Sequence, residues 1–334
     1  GKTLLDNAWQ HGRISKTGLF GEYHFAKKGW QVVLASRLEI NTANTLETTD
    51  EFNAIYPDSK TIEFNPSFSI GTIKNLEKGV SLGLWLGRAQ RSGSITERYI
   101  NYFTVGQDPY EYLGNPDLDA EVNNQFEIGF KGNEPLKNGF NSFRYETSFY
   151  YSYFKNYIVG IVDPNITRKF NPMAEPTNVK VFQNLDESYK TGFEIMGQLD
   201  FLDHYYFKSE VSYVYTKNKD LDESLPLTPP LTTRFFIGME KAKFWANIQY
   251  NAVSKQENIS ESFGETETDA FQTLDIRLGV KPTKDIALGI AMLNAFDKAY
   301  NNHLNFSFTN QADFGRTPIT EPGRNFSLFL QYKF

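Results

Sequence analysis

The feature that most limits what this chain can become is an alternation of apolar and polar residues with a period of two. It recurs along nearly the whole length. In FQTLDIRLGV, Leu274, Ile276, Leu278 and Val280 share one face, and Thr273, Asp275, Arg277 and Gly279 share the other. In YFKSEVSYVY, Phe207, Val211, Tyr213 and Tyr215 oppose Lys208, Glu210 and Ser212. Such a period belongs to strands with one apolar face and one polar face. It predicts thirteen strands, over residues 14–26, 30–42, 60–73, 79–91, 122–131, 141–162, 188–201, 205–218, 230–240, 243–254, 271–281, 285–296 and 324–334. The connections alternate in length. Short turns such as KKG, LDH, KA and PTK alternate with long stretches near 43–59, 92–121, 163–187, 219–229, 255–270 and 297–323. Short turns at one end and long loops at the other are the plan of an outer-membrane β-barrel.

Composition agrees with that plan. No run reaches the roughly 20 apolar residues of a membrane-spanning helix, and the chain is hydrophilic on average. It nevertheless carries 19 tyrosines and 29 phenylalanines in 334 residues. A barrel reconciles the two, because alternation keeps the mean low and aromatics gather at the membrane interfaces. A soluble sandwich or propeller fits the composition less well, and would not be expected to alternate short and long connections through six hairpins. A formal charge of −6 argues against nucleic acid as a partner. The lack of cysteine excludes a disulfide scaffold and thiolate metal sites.

Lipid-facing charges would cost about 2–4 kcal/mol each at mid-membrane. Lys208, Glu210, Asp275 and Arg277 are therefore expected to face a lumen that is wet or filled by a polar plug. The odd count is informative, since single-chain bacterial barrels have an even number of strands. Either one strand is missed, giving about 13–14, or residues 1–334 are the C-terminal portion of a larger barrel. The start, GKTLLDNAWQ, shows no basic segment followed by an apolar run. That is expected of a processed chain or of one beginning inside a longer protein.

Six stretches then carry a family resemblance. They are GVSLGLWLGRAQRSGSITE (79–97), GNPDLDAEVNNQFEIGFKG (114–132), SFYYSYFKNYIVG (148–160), VFQNLDESYKTGFEIMGQL (181–199), LNAFDKAYNNH (293–303) and PGRNFSLFLQYKF (322–334). In their order they resemble the C-terminal barrel region of TonB-dependent outer-membrane receptors, the energised transporters of siderophores, metals and vitamins. The resemblance covers residues 79–334; upstream lie only generic barrel strands. It departs at Arg91-Ser92-Gly93, which lacks a proline common there.

The resemblance implies a barrel of about 22 strands around an N-terminal plug, and neither a plug nor a TonB-binding segment is recognisable in this chain. It implies uptake of a scarce solute, most simply an iron–siderophore or other metal chelate. It also implies the TonB complex, outer-membrane lipid and lipopolysaccharide, and the barrel-assembly machinery as partners, in a Gram-negative outer membrane. Alternatives from other classes are a passive porin or channel and a surface-binding barrel. No nucleophile–base pair, nucleotide loop or metalloprotease motif makes a case for an enzyme, and no cofactor is implied.

Candidate residues follow. Alternation puts Glu127 and Glu194 on the lumen side, and by resemblance they are the barrel half of a carboxylate–arginine lock on the plug; the alternative is a solvated lumen charge. Arg98, Tyr99, Tyr102, Tyr110 and Tyr112, in the long 92–121 loop, are candidates to grip an anionic chelate by charge and stacking, or are loop packing or an interface girdle. Tyr332 and the terminal Phe334 resemble the assembly signal at the end of such barrels, and Phe334 also reads as a girdle residue. Loop 255–270 carries Glu257, Glu261, Glu265, Glu267 and Asp269, a cation-attracting or simply solvated face. The four histidines, His11, His24, His204 and His303, form no close pair, so no His/Met metal site is expected.

Overall fold

A computed structural model describes residues 8–57, 59–76, 79–106, 108–170, 172–305, 307–310 and 315–333. Thirteen consecutive antiparallel strands form one sheet, and they match the thirteen expected from the alternation. In chain order they are β1 (His11–Lys27), β2 (Trp30–Glu47), β3 (Lys60–Asn75), β4 (Ser81–Arg91), β7 (Glu121–Pro135), β8 (Phe140–Thr167), β9 (Asn178–Phe201), β10 (Tyr205–Asn218), β11 (Thr232–Glu240), β12 (Phe244–Val253), β13 (Phe271–Val280), β14 (Ile286–Leu293) and β17 (Asn325–Tyr332). The remaining elements sit in the long connections. They are α1 (Asp50–Ile55), α2 (Ile95–Tyr99), β5 (Asn101–Phe103), β6 (Glu111–Leu113), β15 (Ser307–Asn310) and β16 (Gly315–Pro318).

The short turns use the chemistry that tight hairpins need. Lys27 pairs with Trp30, leaving Lys28 and Gly29 as a two-residue turn with φ of 48° and 76°. Asn138 and Gly139 repeat this pattern at 61° and 89°. Left-handed residues at both turn positions match the right-handed twist of the strands they join.

Pairing register carries one surface unbroken across the sheet. Leu34 faces Ile70, which faces Leu86, then Phe126 and Tyr151. At the other end Leu278 faces Ile290, which faces Leu328. These side chains are exposed or half-buried, so an apolar belt faces outward. The opposite surface carries Arg37, Glu127, Arg144, Glu194, Lys208, Glu210, Asp275 and Arg277. Among the described residues β1 pairs only with β2, and β17 only with β14. Among the described residues the sheet is thus open at both ends, and β17 does not meet β1.

Large rings on the polar surface lie against glycines directly across the ladder. Trp85 faces Gly71, Tyr206 faces Gly238, Trp245 faces Gly279 and Phe329 faces Gly289. A Cβ on Gly279 would stand 2.2 Å from the Trp245 ring, and one on Gly289 would stand 2.0 Å from Phe329. Gly83, two residues before Trp85, would place a Cβ 2.0 Å from that indole. The rings lie flat because these positions have no side chain. Gly83→Ala is therefore expected to lift Trp85 and to destabilise the sheet by about 1–3 kcal/mol, the usual range for overpacking. The folded-to-unfolded mobility shift on heating in detergent measures this, and an unchanged midpoint would contradict it.

The structure departs from the sequence expectation in the long connections. β8 and β9 run further than 141–162 and 188–201, and residues 178–187, expected to be loop, are strand. At about 3.3 Å per residue, this hairpin continues well past the strands beside it.

Candidate functional site

On the polar surface, β7 and β9 flank β8. Ser148 of β8 lies opposite both Gly129 and Glu194, and its hydroxyl donates to Glu127 Oε1 at 2.8 Å. The two glutamates singled out from the sequence thus lie on either side of one serine, which bonds Glu127 and sits across the ladder from Glu194. Beside them a cavity of about 460 Å³ opens onto Glu146, Ser148, Glu194, Glu210 and Arg234. Other carboxylates on this surface have a cation nearby: Asp200 with Arg144 at 3.1 Å, Glu210 with Lys208 at 2.7 Å, and Asp275 with Arg277 at 2.9 Å. Among the described residues neither Glu127 nor Glu194 forms an ion pair. Carboxylates held this way are ready acceptors for an incoming guanidinium fork.

At the long-loop end, the connections form a packed cap on the extended β8–β9 hairpin. β6 adds to β9 in parallel, Glu111–Leu113 against Val179–Val181, above the last β9–β10 pair at Ser188 and Asn218. Helix α1 starts at Thr49, whose hydroxyl caps the Phe52 N–H at 3.3 Å, and it buries Phe52 against Leu113 and Val179. Helix α2 is closed by a capping box. Ser94 accepts from the Glu97 N–H, and Glu97 accepts from the Ser94 N–H. A third cluster packs Val159, Ile161 and Leu185 of the hairpin against Leu225 and Phe263 of two later loops.

The loop residues proposed from sequence lie mostly inside this cap. Arg98 is 0 % exposed. Its guanidinium donates to the carbonyls of Pro116 and Leu118 and to Glu63 Oε2, the last two at 2.9 and 2.8 Å. Tyr99, Tyr110 and Tyr112 are also buried. Tyr102 alone of the five is half-exposed, with Lys169 Nζ 5.8 Å from its ring centroid. Of the two offered roles, four of these side chains occupy loop-packing positions.

Other ionic contacts of the cap were not singled out in the sequence. Arg91 makes a two-pronged contact with Glu121 at 3.1 and 3.0 Å, and Glu121 also accepts from the Ile158 N–H. Glu111 holds Arg168 and the N–H groups of Lys169 and Phe170. Lys180, 0 % exposed, pairs with Asp108. The fragment NVKVF around Lys180 alternates and could have revealed a strand, but nothing local identifies the lysine's partner.

The acidic loop is largely committed. Glu257 and Glu267 both pair with Lys255 at 2.8 and 2.6 Å. Glu265 accepts from the N–H groups of Leu227 and Ser260. Burial pushes the Glu265 carboxyl above, and the His303 imidazole below, their usual ranges. His303 lies 3.7 Å from Glu265. Among the described residues no group of three or more His, Asp or Glu is placed to hold a metal ion. Tyr332 lies on the apolar surface opposite Ile286, and Phe334 falls outside the described residues.

A family model described as "TonB dependent receptor-like, beta-barrel" matches residues 3–295. The match begins well upstream of the six motif stretches and ends before the closing strand. No curated protein matches by sequence. Among solved structures, the copper transporter OprC superposes with a TM-score of 0.80 at 19 % identity, covering 97 % of this chain and 48 % of that one. The FrpB iron transporter from Neisseria meningitidis gives 0.67 at 15 %, covering 98 % and 46 %. The ferric enterobactin receptor PfeA from Pseudomonas aeruginosa gives 0.63 at 16 %, covering 97 % and 54 %. The chain spans about half the length of these structures, and at such identities the likeness is one of fold.

Proposed function

The chain belongs to the TonB-dependent receptor β-barrel family, whose members are outer-membrane proteins of Gram-negative bacteria, and we propose that it forms the wall and extracellular mouth of an energised uptake receptor. In this reading the cap receives a scarce solute, most simply an iron–siderophore or another metal chelate. An N-terminal plug fills the polar interior and moves when TonB pulls on it. The single observation that carries the reading is the placing of Glu127 and Glu194 on either side of Ser148 on the polar wall. Neither carboxylate forms an ion pair among the described residues, whereas Asp200, Glu210 and Asp275 on the same wall each do. Glu127 is half-buried and Glu194 exposed on this wall; a plug filling the interior would desolvate both, and its arginines would supply the partner that buried carboxylates need.

The test is Glu127→Gln with Glu194→Gln in the full-length receptor. Hydrogen exchange in the plug is expected to speed up at least tenfold, with the barrel strands unchanged. Each single variant should give a smaller effect, because one carboxylate of the lock is left in place. Plug protection equal to that of the parent protein would sink the assignment.

A further inference from the structure

Lys190 stands apart from the other half-buried lysines of the described chain. Lys74 donates to a backbone carbonyl, and Lys169, Lys208 and Lys217 each pair with a carboxylate. Lys190 has neither kind of partner among the described residues. Its ammonium instead lies 5.5 Å from the Phe154 ring centroid and 5.3 Å from that of Tyr157. The rings meet edge to face, 5.3 Å apart at 81°. They reach each other because Asn156 between them is left-handed, with φ of 54°, a conformation asparagine tolerates better than most residues.

Position gives this arrangement a use. Lys190 is on the polar surface, opposite Ser152 and Thr216. Two residues before it, Ser188 marks the level where β10 ends and the cap begins; its hydroxyl is buried and without a hydrogen-bond partner among the described residues. Glu121, which attracts Lys190 through space, is already taken up by Arg91 and the Ile158 N–H. Aromatic faces stabilise an ammonium on one side only and leave N–H donors free on the other. A partly desolvated cation without a counter-ion is costly unless an anion completes it.

The geometry points to Lys190, backed by Phe154 and Tyr157, as an oxyanion subsite at the junction of wall and cap, selecting solutes that carry a carboxylate or catecholate oxygen. The inference rests on the uptake reading above and assigns its substrate a charge sign. The same oxyanion chemistry could come from a carboxylate of the plug, and the experiment separates the two sources.

Binding is measured on the purified full-length receptor in detergent, without TonB, by quenching of tryptophan fluorescence. The probes are ferric tris(2,3-dihydroxybenzoate) and ferric citrate, both anionic, and neutral ferric tris(acetohydroxamate). At least one anionic probe is expected to saturate the parent protein. Lys190→Met, which keeps the stem against the rings, should weaken it at least tenfold, and Lys190→Arg no more than threefold. Salt should weaken binding to the parent protein more than to the methionine variant. The inference is overturned if neither anionic probe saturates, if the neutral probe binds as well, or if Lys190→Met binds like the parent. It is also overturned if Lys190→Met, with no probe present, speeds hydrogen exchange upstream of the barrel, because the anion would then be the protein's own. Anionic binding that depends on Lys190, with growth indifferent to TonB, would count against the uptake reading alone.

Discussion

Replacing Lys180 by methionine is expected to loosen two separate loops at once. The ammonium pairs with buried Asp108 and lies 3.1 Å from the Phe263 ring centroid and 4.7 Å from that of Tyr110. It therefore connects the 101–113 segment, the β8–β9 hairpin and the 254–270 loop. Methionine fills much of the space but leaves the Asp108 carboxylate buried without its cation. Removing one partner of a buried pair costs about 3–5 kcal/mol. Asp108 keeps two bonds, from the Tyr110 N–H and the Tyr112 hydroxyl, at 3.0 and 2.8 Å, which places the effect toward the lower end. Hydrogen exchange should speed up together in 101–113 and 259–264, while β11–β13 hold. Adding Asp108→Asn, which removes the second charge, should recover part of the loss. A change confined to residues 178–182 would mean that the lysine does not link the loops.

Arg98→Met is expected to release the 92–120 connection. The parent guanidinium gathers the carbonyls of Pro116 and Leu118 and the carboxylate of Glu63, so a chain segment of some twenty residues converges on one side chain. Its removal leaves two buried carbonyls and a mostly buried carboxylate without their donor, again at about 3–5 kcal/mol. Arg98→Lys should fall between, since an ammonium cannot reproduce the planar fork. Limited proteolysis of intact cells measures this. New cleavage inside 92–120 is expected for the methionine variant, and an unchanged digestion pattern would contradict the role given to Arg98.

The sheet was legible in the sequence because alternation is local. Each strand announces its own faces, and the parity that sets Glu127 against Phe126, or Asp275 against Leu274, survives in the pairing register. The cap was not legible in the same way. Arg98 and Tyr112 stayed open between a chelate grip and loop packing, because nothing local says which residues of a long connection are covered. Tyr112 is buried against Val162 and Phe182 of the hairpin, and Arg98 by Glu63 of β3 and the turn of chain at Pro116 and Leu118, contacts that sequence neighbours do not announce. The capping box of α2 was readable in SITE, serine and glutamate three apart, and residues 178–187 alternate well enough to suggest a strand. Lys190 could not have been found this way. What distinguishes it is the lack of a carboxylate partner, which depends on how Glu121 is spent elsewhere.

The rings lying on glycines of the inner wall set its relief. A side chain standing off a sheet projects inward by its full length, but an indole or phenyl ring laid over a bare backbone adds little more than its own thickness. Trp85, Tyr206, Trp245 and Phe329, four of the largest side chains on that surface, are all folded down in this way. The lining is therefore smoother than its composition suggests. In the uptake reading proposed above, a close-fitting plug would meet few steric teeth on it, and the proposed contacts at Glu127 and Glu194 would have to hold it in place of interlocking shape.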